Sequence, residues 1–443
     1  MFRPIAVVMI ACVFALPATA AEPTAADKAL SEVRQAWKDA EREFQKAYES
    51  VKTEEDLKAL KAKQPDKAKF AARFLEVADT HPKTDAELVA LVWAARCAPK
   101  SEAGEKAAAR LPKRIESLKT LAPLVRAYDQ YWGGDVDEVA GRDLTPILVA
   151  KVKALPDDPD AAHVLSQIVC AAFAYDSSEK PPAAFAAAAD LLADKYASSP
   201  NTMTFSSVLS DCPPAYARQF EKHVRRIAEK ADDPFAKAYA RFALGTLALA
   251  EGEKRQAEAE KMFREIVAEY DGKGRDFSFV VPKAQLLADR IKRCGLGKPA
   301  QKTEGDDLEG KPVTLADQKG KVVVLVFWAS WCGACMADVP HEKELVEKFK
   351  GRPFAILGVN GDLDKEEAMK AVKKAGISWR SIWGGEKGPG GPQARAWCVG
   401  GWPAVFVIDH TGVIRHNSLR GKALDEPLEE LVKAAEKAVQ EKK

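Results

Sequence analysis

Histidine is scarce, six residues in 443, and no dense histidine–cysteine tract occurs, which disfavours a histidine-rich metal site. Net charge is almost absent as well. Against 67 basic side chains stand 65 acidic ones, and the resulting +2 gives no overall field to hold a polyanion such as nucleic acid. Proline (26) and glycine (27) are modest and 47% of residues are apolar, which excludes collagen-like, low-complexity and mostly disordered chains. Beyond residue 16 no apolar run approaches the roughly 20 residues that a membrane-spanning helix needs. What remains is a globular chain with room for two or three domains.

One apolar run does stand at the start. Residues 5–16 are apolar without interruption, preceded by Met-Phe-Arg-Pro and followed by Pro17-Ala18-Thr19-Ala20-Ala21, where Ala18 and Ala20 supply an A-x-A cleavage signal. A basic start, a short apolar stretch and small residues at its exit predict a secretory signal peptide over residues 1–20. A buried N-terminal helix would want a polar face, which the run lacks. Lipid attachment at Cys12 is disfavoured because apolar residues continue past it. The expectation is an exported, periplasmic protein with no membrane span after cleavage. Loss of Cys12 leaves seven of the eight cysteines in an oxidising compartment. Cys332 and Cys335 are close; Cys97, Cys170, Cys212, Cys294 and Cys398 are scattered. An odd count leaves at least one thiol free, buried or joined to another molecule, and spacing assigns no structural disulfide among the five.

From Thr24 to about Lys292 the sequence reads as successive helices. Leu30, Val33, Trp37, Ala40, Phe44, Ala47 and Val51 form an apolar seam stepping by three and four, which predicts a helical hairpin or, as the runner-up, a self-associating coil. Thr53 with Asp56 and Thr84 with Glu87 resemble helix caps, and Pro182, Pro214 and Pro234 sit where a first helical turn accepts proline. Residues 70–82 are weakly similar to residues 185–200, and residues 242–270 look like a helix pair of the tetratricopeptide kind. The periods are irregular, so the class of any repeat stays open. This stretch, residues 22–293, carries no clustered acid, base or nucleophile and reads as a scaffold or partner-binding surface.

Around residues 294–300 (Cys-Gly-Leu-Gly-Lys-Pro-Ala) the periodicity changes. Residues 321–327, 354–359 and 404–408 are continuous apolar, β-branched runs, as in strands buried on both faces. Asp409-His-Thr-Gly412 predicts a turn into residues 413–419, and helical patterns cover 337–350, 364–375 and 425–442. The order β-α-β-α-β-β-α predicts an α/β sheet with one antiparallel edge over residues 299–443.

Within it, Trp331-Cys332-Gly333-Ala334-Cys335 places a C-x-x-C where a buried strand meets a helix. Helix N-terminal N–H groups and the local dipole favour negative charge there, and the thiolate is the form that attacks a disulfide. The second cysteine lies one turn on, within bonding reach. Cys332 therefore reads as the nucleophile and Cys335 as the resolving thiol. No second C-x-x-C or C-x-x-H completes a zinc site.

The run Lys319-Gly-Lys-Val-Val-Val-Leu-Val-Phe-Trp-Ala-Ser-Trp-Cys-Gly-Ala-Cys335, with Gly401-Trp402-Pro403, Val407-Ile-Asp-His-Thr-Gly-Val413 and Gly310-Lys-Pro-Val-Thr-Leu315, resembles the thioredoxin-like proteins of the TlpA/ResA type over about residues 299–442. The resemblance implies a thioredoxin fold, reached after an N-terminal all-α array, and an extracytoplasmic thiol–disulfide oxidoreductase without a cofactor. It commonly implies a reductase for cytochrome c maturation or other exported thiols, recharged by a membrane-borne electron donor. By position, Trp402-Pro403 matches the family's cis-proline loop, where the backbone before the proline can hydrogen-bond an extended substrate and Trp331 flanks it. Asp338 stands where relatives often carry Glu and is a candidate proton relay; Pro340 matches a helix-kinking proline.

The sequence departs from that pattern at several points. Ala334 replaces the common proline between the cysteines, Val326 stands where cytoplasmic thioredoxins bury an Asp, and Trp402 is bulkier than usual, which bears on substrate choice. Cys398 is an extra thiol, read as a buried residue or a second redox partner. The stretch 384–392 reads as a mobile loop beside the site. A non-enzymatic adaptor that binds chains without turnover is the alternative function. Peroxide reduction lacks the lone Cys after Pro and Thr, and copper carriage would want wider cysteine spacing and a committed His, whereas His410 lies in a turn.

Overall fold

The computed structural model describes residues 22–49, 51, 53–61, 64–130, 138–139, 142–175, 183–274, 277–417 and 419–441; the expected leader, Cys12 and Pro182 lie outside the described residues. The described chain divides into two compact units: one up to Ala171 with Ala183–Ala188, the other comprising Ala172–Tyr175 and the residues from Ala189 onward. It is an α-helical array followed by an α/β thioredoxin-like fold.

In the first unit the helix Ala25–Glu49 is opened by a reciprocal pair, Asp27 N donating to Thr24 Oγ1 and Thr24 N donating to Asp27 Oδ2, each 3.1 Å. The early half of the apolar seam is buried within the chain (Leu30, Val33, Trp37), with Trp37 edge-on to Phe70 at 5.1 Å. Thr53 and Asp56 cap each other reciprocally. The expected cap at Thr84 differs in one bond. Glu87 N donates to Thr84 Oγ1, but the Glu87 carboxylate accepts from Lys83 N, at 2.6 Å, and is joined by Arg110 and Arg114. Behind it Ala86 to Ala95 are all buried, so the helix Asp85–Cys97 forms the centre of this unit. A two-residue ladder, Glu138–Val139 with Arg142–Asp143, is too short to leave any alternation in the sequence.

The second unit begins with more helices. Pro214 and Pro234 both occupy first-turn positions. Helices Pro234–Ala250 and Gln256–Tyr270 meet where Gly245 lies under Phe263; a Cβ there would stand 2.6 Å from the ring. Helix α1 (Val280–Cys294) then leads into the sheet portion, and its contacts there are intimate. The Arg290 guanidinium lies 5.1 Å over the Phe406 ring, and Leu286 fills the space left by Gly400.

An opening hairpin pairs β1 (Glu304–Asp306) with β2 (Pro312–Thr314). Then follow β3 (Val322–Trp328), α2 (Gly333–Lys348), β4 (Phe354–Asn360), α3 (Lys365–Ala375), β5 (Ser381–Trp383), α4 (Pro392–Ala396), β6 (Ala404–Ile408), β7 (Ile414–Asn417) and α5 (Asp425–Gln440). The sheet order is β5-β4-β3-β6-β7. β4 is parallel to β3 and to β5, whereas β6 runs antiparallel to β3 and to β7. The expected single antiparallel edge is there: β7 pairs antiparallel with β6, whereas the opposite edge, β5, is parallel to its neighbour. The antiparallel strand β6 is interior, and a strand absent from the sequence reading, β5, adds a second edge of three residues. Every residue of central β3 is buried, with one apolar layer on each sheet face.

Candidate active site

Central β3 ends at Trp328, and the chain turns through Ala329, Ser330 and Trp331 into α2. Cys332 is the N-cap of that sixteen-residue helix; its Sγ accepts from Cys335 N at 3.1 Å. The sulfur therefore sits at the positive end of the helix, among N–H groups without intrahelical partners. Cys332 and Cys335 are joined as a disulfide with Cα atoms 5.2 Å apart, both buried in the apolar layer formed by α2, α5 and the sheet. Trp331 beside them is 56% exposed.

The Trp402–Pro403 peptide is cis, and the Trp402 ring lies 6.0 Å from that of Trp331, so the proline loop stands beside the dithiol turn. Gly361 makes this possible. It seats the Trp402 ring so closely that a Cβ would come within 2.5 Å of its Cη2. Sequence reasoning missed this residue and its neighbour Asp362. The buried Asp362 carboxylate accepts from Ser330 N (3.0 Å), Ser330 Oγ (2.6 Å) and Asn360 Nδ2 (2.7 Å). Gly361 N donates to Trp328 O and Trp383 Nε1 to Asp362 O. This clasp fixes the turn that carries Trp331. Its nearest sequence signal was an Asn-Gly-Asp at the end of a buried strand, the edge where open α/β sheets place their ligands.

Asp338 lies one turn beyond Cys335, its Oδ2 accepting from Arg420 Nε at 2.7 Å, while Arg420 Nη2 donates to Ala334 O at 3.1 Å. One turn further Glu342, unnoticed in the sequence, is buried. Burial, reinforced by the Asp338 charge, pushes its carboxyl up to about 7, with Arg420 opposing. Helix α2 continues through Pro340. Val326 is buried and apolar. Residues 384–392 carry a chain of hydrogen bonds, Gly384 N to Asn360 O among them, with Gly384, Gly388 and Gly391 buried and Glu386, Lys387, Pro389 and Gly390 exposed.

The remaining described cysteines carry no disulfide. Cys398 is buried at φ +50°, its Sγ accepting from Arg293 Nη2 at 2.5 Å. Burial pushes the thiols of Cys294 and Cys212 up to about 12 and that of Cys97 to about 11. Among the described residues no group of three or more His, Cys, Asp or Glu is placed to hold a metal ion.

Residues 296–431 match the Redoxin family. The thiol-disulfide oxidoreductase ResA of Bacillus thuringiensis subsp. konkukian is 33% identical over 138 residues, 31% of this chain and 77% of that protein. ResA of Bacillus anthracis is 32% identical over 149 residues, 33% of this chain and 82% of that one. This chain belongs to the ResA/TlpA-like family. It is a thiol–disulfide oxidoreductase. Among solved structures, the thioredoxin domain of a Bacteroides vulgatus thiol-disulfide oxidoreductase is 30% identical, covering 31% of this chain and 98% of that chain with a TM-score of 0.30. The family match lies in the C-terminal third, and the two ResA proteins cover about a third of this chain.

Proposed function

We propose that Cys332 and Cys335 are the redox dithiol of an extracytoplasmic reductase acting on disulfides of exported proteins, those formed by apocytochrome-like thiols included. The Cys332 thiolate attacks a substrate sulfur and forms a mixed disulfide, and the substrate's other sulfur leaves as a thiolate. The Cys335 thiolate then attacks the Cys332 sulfur, releasing the reduced substrate and restoring the Cys332–Cys335 disulfide. A membrane-borne dithiol donor would reduce it again. In this reading Trp331, Trp402 and Pro403 hold the extended substrate, and Asp338, pinned by Arg420, relays the Cys335 proton.

The observation that supports this most is the sulfur of Cys332 at the N-cap of α2 beside the proline loop. Export rests on residues 1–20, read as a cleaved leader; among the described residues no helix is long and apolar enough to cross a membrane. Residues 22–293 would hold or orient the partner and residues 299–443 would carry the chemistry. Insulin reduction by the wild type and by Cys332→Ser tests the proposal: loss of turnover in the variant is expected, and equal rates would refute it.

A further inference from the structure

We propose that helix α1 braces the proline loop, with Arg293 and Leu286 as positioning residues for substrate binding. The inference rests on the dithiol reading above and adds to it a part of the chain outside the family match, since α1 ends at Cys294 and the match begins at residue 296. Between α4 and β6 the chain runs through residues 397–403 and ends on Trp402–Pro403. Trp397 is buried at the start of this segment, and Trp402 is seated on Gly361 at its end. Between them stand Gly400 and Gly401, which have no side chain to pack. Cys398 stands there too, at φ +50°, a region that non-glycine residues keep only when their surroundings impose it.

Helix α1 supplies those surroundings. Cys398 N donates to Arg395 O at 3.2 Å and closes a turn. Arg293 Nη2 donates to the same carbonyl at 3.2 Å and to Cys398 Sγ at 2.5 Å, so one guanidinium nitrogen spans both ends of that turn. The Arg293 carbonyl is itself fixed, accepting from Gln301 Nε2 at 2.7 Å. Two turns back along the helix, Leu286 lies against Gly400, where a Cβ would stand 2.2 Å from Leu286 Cδ2. Arg290, between them, lies over Phe406 of β6, the strand that the loop enters. Steps of four and three place residues 286, 290 and 293 on one helix face, and all three reach the loop or its strand. A loop held from outside loses less freedom when an extended polypeptide lies along it, so the brace acts on binding. These contacts fall on residues 395–406 and not on the dithiol, which leaves the sulfur exchange itself unaltered.

Insulin and dithiobis-nitrobenzoate, a small disulfide that needs no extended docking, separate the two roles. Arg293→Gln changes an exposed residue and should raise KM for insulin about fivefold, roughly the worth of one lost hydrogen bond. The kcat, the rate on the small disulfide and the redox equilibrium with glutathione should stay within about twofold of wild type. Gly400→Ala, whose Cβ meets Leu286, should raise the insulin KM likewise, and adding Leu286→Ala should recover most of the loss by making room. Three results overturn the brace: an insulin KM unmoved by Arg293→Gln or by Gly400→Ala, a Gly400→Ala defect that Leu286→Ala leaves in place, or equal losses on both disulfides. A wild type inert toward both disulfides overturns the dithiol reading instead.

Discussion

Cysteine means different things in the helical and sheet portions of this chain. Cys97 and Cys294 are the last residues of their helices and Cys212 is a C-cap, positions at the negative helix end. All three thiols are pushed up by burial, to about 11 or 12. Cys332 is an N-cap at the positive end of α2, one helical turn from a second sulfur. One residue type is thus inert packing at one end of a helix and a candidate nucleophile at the other.

The sharpest way to break the comparison is by substitution. Cys332→Ser should abolish insulin reduction, whereas Cys97→Ser and Cys212→Ser should stay within about twofold of wild type; a comparable loss from Cys212→Ser would erase the distinction. Alkylation of the reduced protein near neutral pH, read by peptide mass spectrometry, should label Cys332 on the order of a hundredfold faster than Cys97, Cys212 or Cys294, with the difference vanishing in denaturant.

Stability effects are smaller. Asp362→Ala leaves Ser330 N and Asn360 Nδ2 without their acceptor and should cost about 2–3 kcal/mol in denaturant unfolding. Glu342 supplies a pH dependence. Its folded carboxyl value, about 7, lies above its ordinary 4.5, so its contribution is fully present below about 4.5 and is lost as pH rises through 7. Glu342→Gln should therefore flatten the fall in stability across that window and leave the variant relatively more stable above it, by on the order of 3 kcal/mol. An unchanged slope would mean that the carboxyl is hydrated in solution.

Much of the sheet portion was legible because β3, β4 and β6 are buried on both faces, and burial writes itself as uninterrupted apolar runs. The dithiol was legible from spacing at a strand–helix junction. Strand β5 was not, since three residues carry no period and Ser381 is kept by a tertiary bond from Trp328 Nε1. Gly361 and Asp362 matter through Trp402 and Ser330, dozens of residues away, and no local pattern announces such a pairing. Glu342 read as one more polar residue on a charged helix; only the packing around α2 makes it a buried acid.

The central claim is that a helix start eases ionisation of the Cys332 sulfur. Following thiolate absorbance against pH in the Cys335→Ser variant, with the Cys332→Ser, Cys335→Ser double variant subtracted as background, tests it directly. The account predicts half-ionisation clearly below the roughly 8.5 of free cysteine. A midpoint at or above that value would contradict it.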